Sequence, residues 1–184
     1  MTTPLTTLAA LEAYLGLDPG NADEAVLSQL VAAASGMIAT YCNRDFLSAS
    51  YTETRCGTGG FVLPLAATPI TAVASLTIDG LAVPAGSAVA AGYFFLPTLL
   101  MLNGYRFTRG LGNVTVSYTA GYATVPDDVA QAANALAALL YKERQHLDLA
   151  SENIGGNTTT YIHKLPPLVQ MTLDQRKRVV PSWP

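Results

Sequence analysis

The residues that could perform chemistry are few and widely spaced. Asp127 and Asp128 are adjacent carboxylates that could act as an acid pair, and residues 57–60 (Gly-Thr-Gly-Gly) have the composition of a phosphate-binding loop. Carboxylates that directly follow Pro126 more often satisfy the free N–H groups at a helix start. The glycine run lacks a following Lys-Ser/Thr pair and lies between predicted strands, so we interpret it as a turn.

The cysteines and histidines offer little more. A thiol nucleophile would require Cys42 to meet His146 through the tertiary fold, and no serine lies in a Gly-x-Ser-x-Gly motif. His146 and His163 do not share a helix face, and zinc needs more clustered ligands. Without a secretion signal, Cys42 and Cys56 are expected to be buried thiols rather than a disulfide. We predict no enzymatic activity, no metal and no cofactor.

Composition and charge limit the possible partners. Of 184 residues, 50% are hydrophobic and 12% are charged, which is typical of a subunit buried among neighbours, although an alanine-rich composition explains it equally well. A net charge of −3 does not attract nucleic acid or an anionic membrane. The longest apolar candidate, residues 93–102, is about half the roughly 20 residues of a membrane span. We therefore predict no membrane partner, and a start without a signal peptide.

Hydrophobic spacing predicts three main helices, at residues 6–15, 23–42 and 126–148. Gly16 is suited to end the first helix, and the carboxylate of Asp23 to cap the second.

Between these helices, residues 44–122 have the alternation and turn signals of short strands. Asp79-Gly80 is a strong hairpin signal. Residues 93–96 and 99–102 are predicted to be edge strands. One strand, residues 70–79, is expected to place four apolar side chains on one face. They are Ala72, Ala74, Leu76 and Ile78.

The sequence thus predicts an α+β protein: a helical bundle with an antiparallel β portion and a mobile C-terminal arm. The bundle and β portion occupy residues 1–150, and the arm occupies residues 151–184 with a short helix at 167–176. Trp183 follows Pro181 with little local core to join, so it either folds back or anchors in a partner. The predicted partner-contacting residues are Leu168, Met171, Arg176, Lys177, Arg178 and Trp183.

An ordered series of short motifs runs through residues 5–148. The motifs are Leu8-x-x-Leu11-x-x-Tyr14-Leu15-Gly16, residues 38–46, Tyr51-Thr52-Glu53, the turn at residues 57–60, residues 63–65, Pro69-Ile70, Asp79-Gly80, residues 118–122, residues 125–128 and Leu140-Tyr141-x-Glu143-Arg144. In this order and spacing, the chain resembles the phage head–tail connector (adaptor) family.

This resemblance implies a structural adaptor of a tailed phage, prophage or gene transfer particle, with no catalysis. It implies a ring of identical subunits, expected to be a dodecamer, that docks on the portal protein and extends the DNA channel. The other implied partner is a stopper or tail-completion protein, and DNA is cargo that passes through. In this family, the C-terminal segment would reach the portal. The sheet loops would face the next component of the assembly. Synthesis in the bacterial host cytoplasm and a final place in the virion follow from the same resemblance.

Two other functions stay open. A carbohydrate- or host-surface-binding β module would require Tyr93, Phe94, Phe95 and Tyr105 to form an exposed aromatic platform. A hydrolase that uses Cys42 is the third possibility.

Overall fold

The computed structural model describes residues 3–20, 23–144, 151–154, 157–160 and 166–178. These residues form four α-helices and nine β-strands, all paired antiparallel, so the predicted α+β class is confirmed. The helices are α1 (Leu8–Leu15), α2 (Glu24–Cys42), α3 (Asp127–Glu143) and α4 (Pro167–Arg176). The strands are β1 (Ala49–Gly57), β2 (Val62–Pro64), β3 (Ile70–Ile78), β4 (Leu81–Ala82), β5 (Gly92–Phe95), β6 (Leu99–Asn103), β7 (Gly110–Ala120), β8 (Ser151–Ile154) and β9 (Asn157–Thr160).

The chain divides into two compact units. The helical unit contains residues 1–44 and 125–184, and the β unit contains residues 45–124. The predicted boundary at residue 150 stays a prediction, because residues 145–150 lie outside the described part of the chain. The predicted mobility of the arm also falls partly on undescribed residues, at 155–156, 161–165 and 179–184.

The helix ends confirm one predicted cap and correct another. Gly16 ends α1 with φ of 70°, in the left-handed conformation that glycine adopts easily. Thr7 caps the start of α1 by accepting the N–H of Ala10 at 3.2 Å. The capping role predicted for Asp23 is wrong, since its side chain makes no capping hydrogen bond.

Asp23 instead joins the start of α2 to the end of α3. Its carboxylate accepts a hydrogen bond from Arg144 at 2.7 Å and another from the Tyr141 hydroxyl at 2.6 Å. These two bonds hold the pKa of Asp23 below its usual value. Asp23 therefore bonds to side chains at the end of α3 instead of capping its own helix, α2.

The α2 helix corrects the expectation about apolar runs. It has 19 residues and a mean hydropathy of 1.5 over its most apolar window, so by length and composition it could cross a membrane. A core helix meets the same criteria, and α2 contacts α1, α3 and α4. Its buried residues, Leu27, Val31, Ala34, Ser35, Ile38 and Cys42, lie along one face, so α2 packs one side against the other helices of the bundle.

The α3 helix starts one residue later than predicted and is described to Glu143, whereas the predicted end at residue 148 lies outside the described residues. Pro126 occupies the N-cap position and makes no side-chain capping hydrogen bond. Its buried stripe is rich in alanine and contains one polar residue, Asn134. The Thr6 hydroxyl donates a 2.7 Å hydrogen bond to Asn134 Oδ1, which satisfies that acceptor in the bundle core.

Two antiparallel sheets enclose the core of the β unit. The larger has the strand order β1-β7-β3-β4, and the smaller has the order β2-β6-β5. Their facing side chains form one buried cluster. It contains Leu63, Leu65, Ile70, Leu76, Ile78, Val83, Leu100, Leu102, Phe107, Val114, Val116, Tyr118 and Ala120.

Two sequence-based expectations about the strands are wrong. The pairing of β3 with β7 shifts between Ile70 and Ala72 and again between Val73 and Ser75, so Ala72 and Ala74 are exposed instead of facing the core. A bulge changes which face the following residues occupy. The predicted edge strand at residues 99–102 lies in β6, the central strand of its sheet.

The predicted turns are confirmed. Asp79 and Gly80 have φ of 53° and 79° and link the paired residues Ile78 and Leu81, as a two-residue hairpin requires. The glycine run at residues 57–60 lies at the connection between β1 and β2, not at a helix start.

We expect Gly121→Ala to destabilise the protein by roughly 1–3 kcal/mol. Gly121 has φ of 114°, and a Cβ built there would lie 2.4 Å from the carbonyl oxygen of Leu47. The matched control is Gly60→Ala, whose Cβ would meet nothing closer than 3.5 Å. Urea unfolding of the two variants tests this, and equal midpoints would contradict the strain argument.

Candidate interaction surface

The short helix α4 carries three of the six predicted partner-contacting residues, Leu168, Met171 and Arg176. It contacts α2 and α3 and buries Val169 and Leu173. Met171, in contrast, is 62% exposed. A methionine on the outer side of a docked helix is an adaptable apolar contact for a partner.

Two polar contacts fix the end of α4. Nε and Nη2 of Arg176 both lie 2.9 Å from Oδ2 of Asp128, near the start of α3. The Tyr41 hydroxyl donates a 2.6 Å hydrogen bond to Asp174, and this bond raises the pKa of Tyr41. The described contacts of Arg176 are therefore with its own helical unit.

The basic residues after α4 lie beside the end of α2. Lys177 is exposed, with Nζ 4.9 Å from the ring centre of Tyr41. The backbone N–H of Arg178 donates to the carbonyl of Cys42 at 2.9 Å. The structure thus places Met171, Arg176, Lys177 and Arg178 on α4 and the two residues after it. The side chain of Leu168 and the whole of Trp183 lie outside the described residues.

A groove that sequence reasoning missed lies within the helical unit. Its volume is about 340 Å³, and residues from α1, α3 and α4 line it. They are Tyr14, Asp128, Gln131, Ala132, Ala135, Ala138, Leu139, Lys142, Pro166, Val169 and Thr172. The available signal was the spacing of Ala132, Ala135 and Ala138, since small side chains three residues apart share one helix face.

Within the described part of the chain, the reactive candidates gain no supporting geometry. Cys42 is buried, and burial raises the pKa of its thiol, which disfavours a nucleophilic thiolate. Its suggested partner His146 and the second histidine, His163, lie outside the described residues. The expected burial of Cys56 is wrong: it is exposed, with Sγ 3.4 Å from the Gly112 nitrogen. Both cysteines are free.

No group of three or more His, Cys, Asp or Glu side chains is placed to hold a metal ion within the described ranges. Asp127 and Asp128 lie in the first turn of α3, where Asp128 pairs with Arg176.

The aromatic residues of the alternative carbohydrate-binding hypothesis do not form one exposed platform. Tyr93 is half-buried against the β core, and its hydroxyl donates to the carbonyl of Val73 at 3.2 Å. Phe94 is also half-buried, which leaves Phe95 and Tyr105 exposed.

Comparison with known proteins decides the family. The profile of the head completion protein family matches residues 4–179, which is nearly the whole chain. The chain belongs to the head completion protein family. The sequence-based identification of a head–tail connector is thereby confirmed.

Solved structures confirm the fold of this head completion protein. A chain from the neck of an empty GTA particle, computed with C6 symmetry, is 22% identical with a TM-score of 0.63, and the match covers 100% of both chains. A chain from the virion of a native gene transfer agent (GTA) particle is 20% identical with a TM-score of 0.62, over 97% of this chain and 92% of that one. A chain from the neck of a native GTA particle, computed with C12 symmetry, is 21% identical with a TM-score of 0.59, over 100% of both. No curated protein matches the chain significantly.

Proposed function

We propose that this head completion protein forms a ring that docks on the portal protein and extends the channel through which DNA passes. One observation carries the proposal: the family profile and the neck structures both match essentially the whole chain. A structural role without catalysis is consistent with this family. The buried thiol of Cys42 also gives no support to a hydrolase.

A ring of twelve subunits is the expected assembly. Similar chains come from particle necks computed with C12 and C6 symmetry, and both symmetries are compatible with twelve copies. In such a ring, one surface of a subunit contacts a different surface of the next, and the rotation between them sets the number of copies. The low charge content of the chain, 12%, favours extensive burial against neighbours.

The outer side of α4 is the proposed portal-contacting surface. Met171 supplies an exposed apolar side chain and Lys177 an exposed cation, on a helix end fixed by the Arg176–Asp128 ion pair. Leu168, Arg178 and Trp183 are proposed to add to the same contact. A helix already held in place loses less conformational freedom on docking.

Electron microscopy of particles from a strain that lacks the gene tests the proposed function directly. We expect heads without tails, and restoration of tailed particles when the gene is supplied in trans. If these heads contain portal protein and packaged DNA, assembly has stopped after DNA packaging and before tail joining. Normal tailed particles from the deletion strain would contradict the proposal.

For the portal-contacting surface, we expect Met171→Asp to reduce the amount of this protein on DNA-filled heads at least tenfold, since a loss of about 1.4 kcal/mol has that effect. A carboxylate at an apolar contact must be desolvated on docking. Met37→Asp is the matched control, because Met37 is a 52% exposed helix methionine on α2. Quantitative immunoblotting of purified heads gives the measurement. Equal amounts of both variants on heads would exclude Met171 from the contact.

A further inference from the structure

Three loops meet at one end of the β unit. The carboxyl ends of β1 and β3 lie beside the start of β7, because Gly57 pairs with Gly110 and Ile78 with Val114. The connections between β1 and β2, between β3 and β4 and between β6 and β7 therefore share this end of the larger sheet.

A polar network holds these loops together. The Asp79 carboxylate accepts hydrogen bonds from the Thr108 hydroxyl and from Asn113 Nδ2, the latter at 3.0 Å. These two bonds, first that from Thr108, lower the pKa of Asp79. Oδ1 of Asn113 also accepts the N–H of Gly57 at 2.9 Å. One asparagine thus ties all three loops into a single assembly.

Phe107 anchors the same loops to the core. Its ring is fully buried in the cluster between the two sheets. Its backbone N–H donates to the carbonyl of Gly60 at 2.8 Å, and its carbonyl accepts the N–H of Gly59 at 2.6 Å. The residues on either side of Phe107 are therefore held in place, although they are exposed.

This fixed end displays large side chains to the outside. Leu111 is 94% exposed and Leu81 is 74% exposed. Tyr105, Arg106 and Arg109 are exposed on the loop between β6 and β7. We call these five residues the end platform.

The composition of the end platform is that of a protein contact. Burial of the exposed side chains of Leu81 and Leu111 against a partner would be favourable. Tyr and Arg are enriched among the residues that dominate the binding energy of protein interfaces. Because the polar network and Phe107 already hold the loops in place, the loops would lose little conformational entropy on docking. Phosphate binding would use the arginines but not the leucines, so the apolar pair favours a protein over DNA.

The charge of the platform specifies its partner further. The β unit contains three acidic residues, Asp45, Glu53 and Asp79, and three arginines. Glu53 pairs with Arg55 at 2.8 Å. At the end that carries the loops, the Asp79 carboxylate keeps its charge, because its donors Thr108 and Asn113 are neutral, but it is outnumbered by two arginines. Arg106 and Arg109 therefore give the exposed loop a positive character.

We propose that the end platform docks another protein, one that offers an apolar hollow rimmed by carboxylates. Leu81 and Leu111 enter the hollow, and Arg106 and Arg109 face its acidic rim. The inference rests on the proposed function, and it gives the connector a docking surface on its β unit in addition to the portal contact proposed for α4.

The test supplies variants to the deletion strain and measures two quantities on purified particles. The first is the amount of this protein on DNA-filled heads, and the second is the fraction of those heads that carry tails. With Leu81→Asp/Leu111→Asp, we expect a normal amount on heads and a tailed fraction reduced at least about tenfold. The tailed fraction is the readout because a ring docked on the head presents its remaining surface to the next chain in assembly.

Leu96→Asp is the matched control. Leu96 is a half-exposed leucine in the turn between β5 and β6. The neighbouring Pro97 accepts the N–H of Ile70, at the start of β3, so this turn lies at the opposite end of the β unit. We expect the tailed fraction for Leu96→Asp to stay within about twofold of the wild-type value, as for a residue outside the contact.

A second variant tests the charge. Arg106→Gln/Arg109→Gln is expected to slow joining of heads to tails in vitro and to weaken its dependence on salt concentration, because both effects derive from steering by opposite charge.

Each other outcome has a distinct meaning. Normal tails on Leu81→Asp/Leu111→Asp heads would overturn the inference and leave the portal-docking function intact. Loss of that variant from heads, with Leu96→Asp retained, would overturn it by assigning the platform to contacts within the ring or with the portal. Loss of packaged DNA with normal tail joining would overturn it in favour of DNA contact. If wild-type protein were itself absent from heads, the proposed function would fail first.

Discussion

Phe107→Ala is expected to lower the free energy of unfolding by about 3–5 kcal/mol, the usual cost of removing a buried aromatic ring. The ring is fully buried between the two sheets, where it contributes to the core with Leu63 and Leu100. Its backbone holds the loop at residues 57–60 through two hydrogen bonds. The substitution therefore leaves a cavity and also loosens the loops above it.

Urea unfolding of the purified protein measures this effect, with Tyr105→Ala as the control on the same loop. Because Tyr105 is exposed, its truncation is expected to change stability by less than about 1 kcal/mol. If both variants unfolded at the same urea concentration, Phe107 could not be the anchor of the loops.

The second large effect is expected from Glu53→Ala, which removes the acceptor of a polar cluster in the β unit. The Glu53 carboxylate accepts hydrogen bonds from the Tyr118 hydroxyl, from the N–H of Ala66 at 3.0 Å and from Arg55 at 2.8 Å. Tyr118 is buried. Its burial, and to a smaller extent its hydrogen bond to Glu53, raise the pKa of the Tyr118 hydroxyl, so the phenol stays a neutral donor.

Removing the carboxylate leaves the Tyr118 hydroxyl and the Ala66 N–H without this acceptor. Each unsatisfied donor costs about 1–3 kcal/mol of stability. We therefore expect a loss of roughly 2 kcal/mol or more. Arg55 adds less, because its side chain is well exposed. Thr52→Ala, on the neighbouring position of β1 and the opposite sheet face, is the control and should have a small effect. A Glu53→Ala protein as stable as Thr52→Ala would show that other groups, such as water, satisfy these donors.

The residues of α4 show how sequence and structure divide the information about the interface. The basic run Arg176-Lys177-Arg178 was visible in the sequence, but its three members differ in the structure. Arg176 pairs with Asp128, 48 residues away in the chain, whereas Lys177 is exposed beside Tyr41. Sequence position could not distinguish them, because the ion pair depends on how α4 packs against α3. Of the predicted contact residues, Met171 and Lys177 are those that the structure shows exposed.

The end platform was less accessible to sequence reasoning. Leu81 and Leu111 belong to segments with ordinary strand composition, and nothing local distinguishes them from Leu76 or Leu100 in the core. Their exposure results from the hairpin at Asp79-Gly80 and from the irregular pairing of β1 with β7 near Gly57. The two leucines are brought to the same end by strands 30 residues apart in sequence, which only the sheet order β1-β7-β3-β4 determines.

The sequence by itself determined the α+β class, the positions of the main helices, the hairpin at Asp79-Gly80 and the family. These features depend on short-range signals, since helical periodicity, left-handed glycines and turn residues act within a few positions of the chain. The tertiary structure decided the partners of Asp23 and Arg176, the exposed faces of β3 and the placement of Leu81 and Leu111. Those features depend on contacts between distant segments, and a bulge or a neighbouring helix changes them without any change in the local pattern.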